Sequence, residues 1–301
     1  MKKKAEAMVL GSFLGDSLAL GAHWIYDQEQ LAGRFGRVDS LRKPTPDSYH
    51  PTKDAGEFTH YGDQTLVLLQ SLAAAKGFDP ADFSLKWQKS FEEYRGYIDR
   101  ATRQTLDNFA AGANPAGSGS PSHDLAGASR IAPLIYRYRN DLDALVQAGR
   151  SQTAMTHNDP FVIDSAEYFA RVTHQVLQGG SPVESMDLVA QEHFSKSTIY
   201  RLVQAGLDSK QEDSLTVIAR FGQSCAAESA FPGVVQLLAR HEQDFSSGLI
   251  DCVMAGGDSA GRGMLVGMVL GAHLGLAGLP REWLNTLKKY DEILLLLTNL
   301  E

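Results

Sequence analysis

The chain has 301 residues, 36 of them acidic and 28 basic, for a formal net charge of −8. That balance gives no sequence-wide attraction for a phosphate backbone and excludes a general nucleic-acid binder. A hydrophobic share of 43% with 21% charged residues excludes disorder as the main state. Two cysteines, Cys225 and Cys252, exclude a disulfide framework and point to a reducing, cytoplasmic setting.

Leu and Ala dominate and alternating β-branched runs are scarce, so the pattern predicts an all-α protein. The first predicted helix, 4–22, carries Ala7, Gly11, Gly15 and Ala19, a small residue every fourth position on one face. Further helices are predicted over 63–76, 81–98, 100–111, 124–138, 140–148, 161–178 and 182–193. The series continues over 196–205, 211–220, 223–240, 243–254, 259–277 and 281–298. Asp79–Pro80, Asp159–Pro160 and Ser181–Pro182 are start signals, with proline suited to the first helical turn.

The stretch Gly263–Pro280 has no formal charge and a glycine every fourth residue, at 263, 267, 271 and 275. Its length borders on a membrane span. It stands alone, His273 interrupts it and Pro280 ends it, so it reads as a buried helix, with no membrane association. Two glycine-striped helices predict a close central pair. Three stretches resist helix assignment: 34–61, 112–123 and 255–261. Long irregular loops in a compact helical protein often carry function. No repeat and no linker divides the chain, which reads as one domain over 1–301.

Several aspartates stand at loop–helix junctions: Asp63 after Gly62, Asp258 after Gly256–Gly257, and Asp159 after His157. Each reads either as an N-cap or as a site residue. Asp16 lies inside the first helix, where capping is not open to it. Carboxylates arriving from separate helix starts suit a hard cation such as Mg²⁺. Gly257 lets the backbone approach a ligand closely. The Gly117–Ser118–Gly119 loop reads either as a connector or as the lining of a phosphate or ribose site. No HExxH, GxSxG or Walker motif is present.

Five segments in order resemble the ADP-ribosylglycohydrolase family: GSFLGDSLALGAHWIYD, GDQT at 62–65, ASRIAPL at 128–134, THNDP at 156–160 and GGDSAGRGMLVGMVLGAHLGLAGLPREW at 256–283. The AHWIYD variant is similar to the branch related to lens J-crystallins. The resemblance implies an all-α orthogonal helical bundle with a two-magnesium site. It implies hydrolysis of the glycosidic bond between ADP-ribose and a protein side chain or small-molecule acceptor.

The metal motifs depart from the family pattern. The first, usually Thr-Asp-Asp-Thr, reads Tyr61, Gly62, Asp63, Gln64. The second, usually Gly-Gly-Asp-Thr-Asp-Thr, reads Gly256, Gly257, Asp258, Ser259, Ala260, Gly261. The implied metal ligands are therefore Asp63, Asp258 and Ser259. Two carboxylates neutralise a pair of divalent ions poorly, which leaves weak metal binding, one ion with water ligands, or no metal. Arg262 is a candidate replacement cation. The expected catalytic residues are Asp63, Asp258 and Glu57; a metal-free route needs a general base, for which Glu57, Asp27 and His157 with Asp159 are the candidates. Asp16, His23, Gly117, Ser118, Gly119, His157, Asp159 and Gly257 are the expected substrate-binding residues. Two readings follow: an ADP-ribosyl hydrolase with an altered magnesium site, or an inactive ADP-ribose-binding or crystallin-like structural protein.

Overall fold

The computed structural model describes residues 1–300. They form seventeen α-helices, one 3-10 turn at Leu276–Gly278 and no strand. The helices run α1 Lys2–Ala19, α2 Gln28–Phe35, α3 His60–Ala75, α4 Pro80–Ser90, α5 Arg100–Ala110 and α6 Ala126–Ser129. They continue as α7 Ala132–Tyr138, α8 Leu142–Ala154, α9 Pro160–Leu177, α10 Pro182–Phe194, α11 Thr198–Asp208 and α12 Ser214–Phe221. The last are α13 Ala227–Arg240, α14 Phe245–Met254, α15 Ser259–Leu274, α16 Arg281–Thr286 and α17 Tyr290–Asn299.

The expected central pair is present. A Cβ added to Gly15 would stand 2.0 Å from the Gly263 carbonyl oxygen, and one added to Gly11 would stand 2.1 Å from that of Gly267. At Gly271 it would meet the Ala7 carbonyl at 2.4 Å. The pairs 7 with 271, 11 with 267 and 15 with 263 run in opposite directions, so α1 and α15 are antiparallel. Backbones this close exclude any side chain at those positions. Residues 259–272 of α15 are all buried, as are 7–19 of α1, so both helices are enclosed on every face. No helix among the described residues is long and apolar enough to cross a membrane.

The antiparallel register brings the end of α1 and the start of α15 to one side of the molecule. There the connecting loops interlock: Trp24 N–H donates to the Gly257 carbonyl at 2.9 Å, and Gly257 N–H to that of Ile25 at 2.8 Å. Three predicted helices are interrupted or end well short of their expected length. The predicted 124–138 helix stops at Ser129 and restarts at Ala132, with Pro133 in the new first turn. The predicted 81–98 helix ends at Ser90. The predicted 281–298 helix is interrupted where Lys288 N–H donates to the Gly56 carbonyl at 2.9 Å. Gly56 has φ +80, and a Cβ there would lie 1.9 Å from the Thr286 carbonyl oxygen. Helix α2 was not anticipated, because only Leu31 of its eight residues is buried and no apolar stripe marks it.

Gly15→Ala should lower the melting temperature sharply, since overpacking against backbone costs about 1–3 kcal/mol or more. Gly33→Ala, in exposed helix α2 with no atom within 4 Å of the added Cβ, should hold or raise it. Thermal unfolding of the two variants checks the seam; equal melting temperatures would refute it.

Candidate functional site

Helix α3 begins where α1 ends because Asp16 grips its cap. Thr59 donates its backbone N–H to Asp16 Oδ2 at 2.8 Å and its hydroxyl to Oδ1 at 2.5 Å. The Thr59 hydroxyl in turn accepts Tyr61 N–H at 3.1 Å. Thr59, not Asp63, is therefore the N-cap of α3. Asp16 is fully buried, and burial raises its carboxyl pKa to about 6 against the opposing pull of the Thr59 bonds. Gly62 lies over it: a Cβ there would be 2.5 Å from Asp16 Oδ2 and 2.7 Å from the Phe58 Cβ. Position 62 thus has no room for a carboxylate.

Asp63 sits on the first turn of α3. Its Oδ2 accepts the Lys53 ammonium and the Tyr94 hydroxyl, the latter at 2.6 Å. The Lys53 and Asp63 side chains are 14% and 24% exposed, so this ion pair is largely withdrawn from water. Burial pushes the Asp63 carboxyl above its ordinary range, and the Lys53 charge opposes it. The early end of α4 serves this contact, because Tyr94 reaches Asp63 from the loop that follows. Glu57 accepts Asp54 N–H at 2.6 Å and lines a cleft of about 830 Å³ with Lys53, Lys89, Tyr94 and Arg95.

Asp258 caps α15 through Gly261 N–H at 3.3 Å and meets His23 Nε2 at 2.8 Å. Burial raises its pKa, but the His23 hydrogen bond and the Arg262 charge outweigh that and hold it below the usual range. His23 continues to His50, Nδ1 to Nε2 at 3.0 Å, and stacks on Trp24 with ring centres 4.2 Å apart. His60 joins this group 5.7 Å from His50 and lies 3.1 Å from Asp99 Oδ2. Burial lowers the His23 pKa, and burial with the neighbouring imidazoles lowers that of His50 to about 2, so both rings are neutral at pH 7. Trp24 has φ +67, a strained conformation for a bulky residue. Tyr49 and Tyr97 close edge-on over it at 4.8 and 5.0 Å.

Other predicted residues meet the protein's own backbone. Gly256 and Gly257 have φ +76 and +68, and a Cβ on Gly257 would sit 2.1 Å from the Gln223 carbonyl oxygen. The close approach made there is to Gln223. Arg262 is buried and donates to the carbonyls of Gln223, Cys252 and Gly256, so it fastens the glycine loop while its charge reaches Asp258. Ser259 is buried and its hydroxyl has no hydrogen-bond partner. Asp159 caps α9 through Phe161 and Val162. Ser118 donates to the Met155 carbonyl at 2.8 Å, Gly117 N–H to Asn114, and Gly119 lies hard against Ala154. His157 is buried beside Thr156 at 3.0 Å, with burial and Arg130 lowering its pKa to about 3.

Sequence reasoning missed Lys53, Tyr94, His50, His60, Asp99 and Arg130. Arg130 lay in the quoted ASRIAPL segment; it is buried and donates to Gln64 Oε1 and Thr156 Oγ1. Burial lowers its pKa to about 10. Gln64 Oε1 also accepts Trp87 Nε1–H at 2.9 Å. Beside this network a cleft of about 430 Å³ is lined by Arg100, Gln104, Ser120, His123, Asp124 and Cys225. Burial and the bond to Asp124 raise the Cys225 thiol pKa, and the charge of Asp258 reaches it as well. Cys225 is thus a poor nucleophile.

The sequence profile of the ADP-ribosylglycohydrolase family matches residues 1–300. The chain belongs to the ADP-ribosylglycohydrolase family. It is 25% identical to crystallin J1B of Tripedalia cystophora over 98% of this chain and 95% of that one. It is 24% identical to human ADP-ribosylhydrolase ARH3, over 94% and 88% of the two chains. A solved ADP-ribosylglycohydrolase-related protein complex shares the fold with a TM-score of 0.78 at 24% identity, covering 99% and 97%. Set beside the two-magnesium site that this family resemblance implied, the residues present do not fit the metal. A lysine ammonium is bound to Asp63, a histidine to Asp258, and position 260 is a buried alanine. Among the described residues, no three His, Cys, Asp or Glu side chains are placed to hold a metal ion.

Asp16 supplies a pH test. Its folded pKa of about 6 lies above the ordinary 3.8, so the folded state holds its proton more tightly. Its contribution to stability is full below about pH 4 and is lost as pH rises through about 6. Asp16→Asn keeps the shape and removes the titration. The gap in melting temperature between variant and wild type should move in the variant's favour from pH 4 to pH 6.5. A pH-independent gap would refute the buried carboxyl.

Proposed function

We propose that the chain hydrolyses an ADP-ribosyl or related N- or O-glycoside, on a protein or small-molecule acceptor, with its own side chains in place of a dinuclear magnesium centre. The observation that carries this reading is Asp258. It is buried at the start of α15, held below the usual carboxylate range and fixed by His23. Glycoside cleavage passes through a transition state with positive charge on the sugar ring. A positioned, ionised carboxylate stabilises that charge where water is excluded. His23 supplies the orientation by donating from Nε2, and His50 backs it from the far side. The cleft beside Cys225 supports the placement of substrate, because its thiol feels the charge of Asp258. Arg100, at the start of α5, offers a guanidinium for a diphosphate in the same cleft.

The resemblance to crystallin J1B supports a second reading, in which the fold is kept for its packing or for binding alone. Turnover separates the two. Incubation with ADP-ribosylated arginine, serine and small-molecule substrates, with Mg²⁺ or with EDTA, should give release of ADP-ribose that EDTA leaves unchanged. Asp258→Asn should lower kcat by roughly 10²–10³. No release from any substrate would favour the second reading, and full activity in the variant would place the chemistry elsewhere.

A further inference from the structure

We propose that the Lys53 ammonium is the resident cation of the first metal motif, so that this chain has exchanged a bound divalent ion for a covalently attached positive charge. The inference starts from the disagreement between family and structure and concerns the cation alone; a chain that hydrolyses nothing still passes or fails its test.

Four observations place Lys53 in that role. Its Nζ is bound to Asp63 Oδ2, the carboxylate retained from the first motif. The same oxygen takes the Tyr94 hydroxyl at 2.6 Å, so it faces two donors and presents no free lone pair toward a metal. The buried carboxyl of Asp16 lies close enough for the half-buried Asp63 to raise its pKa, so a positive charge here offsets two neighbouring acidic groups. Lys53 is carried by the loop whose Gly56 is locked to Thr286 and Lys288, which fixes the ammonium where it stands. A freely exchanging Mg²⁺ would have to displace this ammonium and give up tightly held water in return for a single retained carboxylate. The tethered cation wins because it is always at the site and needs no dehydration of a divalent ion.

The second motif follows the same logic with weaker means. Asp258 accepts His23 and feels Arg262, while Ala260 leaves nothing that requires a second ion. Each retained carboxylate thus has a nitrogen partner from the chain itself.

The test measures metal response without any substrate. Wild-type protein titrated with MgCl₂ in a calorimeter should give no binding heat, and its melting temperature should be the same in 10 mM Mg²⁺ and in EDTA. Lys53→Met removes the charge and keeps the stem. It should be less stable in EDTA and regain about 2–3 °C in 10 mM Mg²⁺, as expected for millimolar binding to the folded state. Lys53→Met combined with Asp63→Asn should lose that regain, since no carboxylate remains to attract the ion. Lys53→Arg should behave as wild type. Saturable Mg²⁺ binding by the wild type overturns the proposal, as does a Lys53→Met protein with no gain in metal response. Should Lys53→Met fail to fold, wild-type calorimetry and the Lys53→Arg comparison decide the question alone.

Discussion

Everything at the candidate site depends on two helices whose backbones touch. Carbonyl oxygens of α1 stand where the Cβ atoms of α15 would be, and the reverse. Contact at that range gives dense dispersion attraction along the full seam and leaves no freedom to slide, because each glycine fits only against its opposite number. The seam therefore sets register as well as stability. One helix belongs to the first twenty residues and the other to the last fifty, so a single interface closes the chain on itself.

That register decides which residues meet. It sets the end of α1 beside the start of α15, and Asp16 then draws in Thr59 and with it the start of α3. Asp63 and Asp258 reach the region as passengers on those helix starts. What they find there is protein: an ammonium, a phenol and an imidazole, each supplied by a loop. Carboxylates withdrawn from water keep their place only while such partners remain, because an unpaired buried charge is costly. The aromatic and imidazole group around Trp24 has the same character, with the tryptophan held in a strained conformation by hydrogen bonds to the glycine loop on one side.

The helical architecture and the central pair were legible in the sequence because both are periodic. Glycine at every fourth position is a local statement about one helix face, and two such faces in one chain imply each other. Helix starts at Asp79, Asp159 and Ser181 were legible for a similar reason, since a cap and a following proline are neighbours in sequence. The loss of carboxylates at the motifs could also be read directly, as could the family. The substitutes could not. Lys53 and His50 lie in a proline-rich loop with no period, and their partners are chosen by where that loop is fastened. Tyr94 follows a helix that stops eight residues before its expected end, so its direction depends on a break that no residue announces. Gly257 was legible as a site of close approach, but the sequence is silent on whether a ligand or Gln223 does the approaching.

The fastening of that loop has a consequence for how the molecule is made. Gly56 is held by Thr286 and Lys288, residues from the last sixteen of the chain. On the ribosome, synthesis proceeds from the N-terminus, and Asp63 emerges long before residue 286. Until α16 and the residues after it arrive, the loop lacks this one fastening and is held by its contacts to Ser17, His23 and Arg95. The start of α3 then gains its full set of contacts only after residues 286–288 have emerged, and a chain cut before them would lack this fastening even with every acidic residue in place.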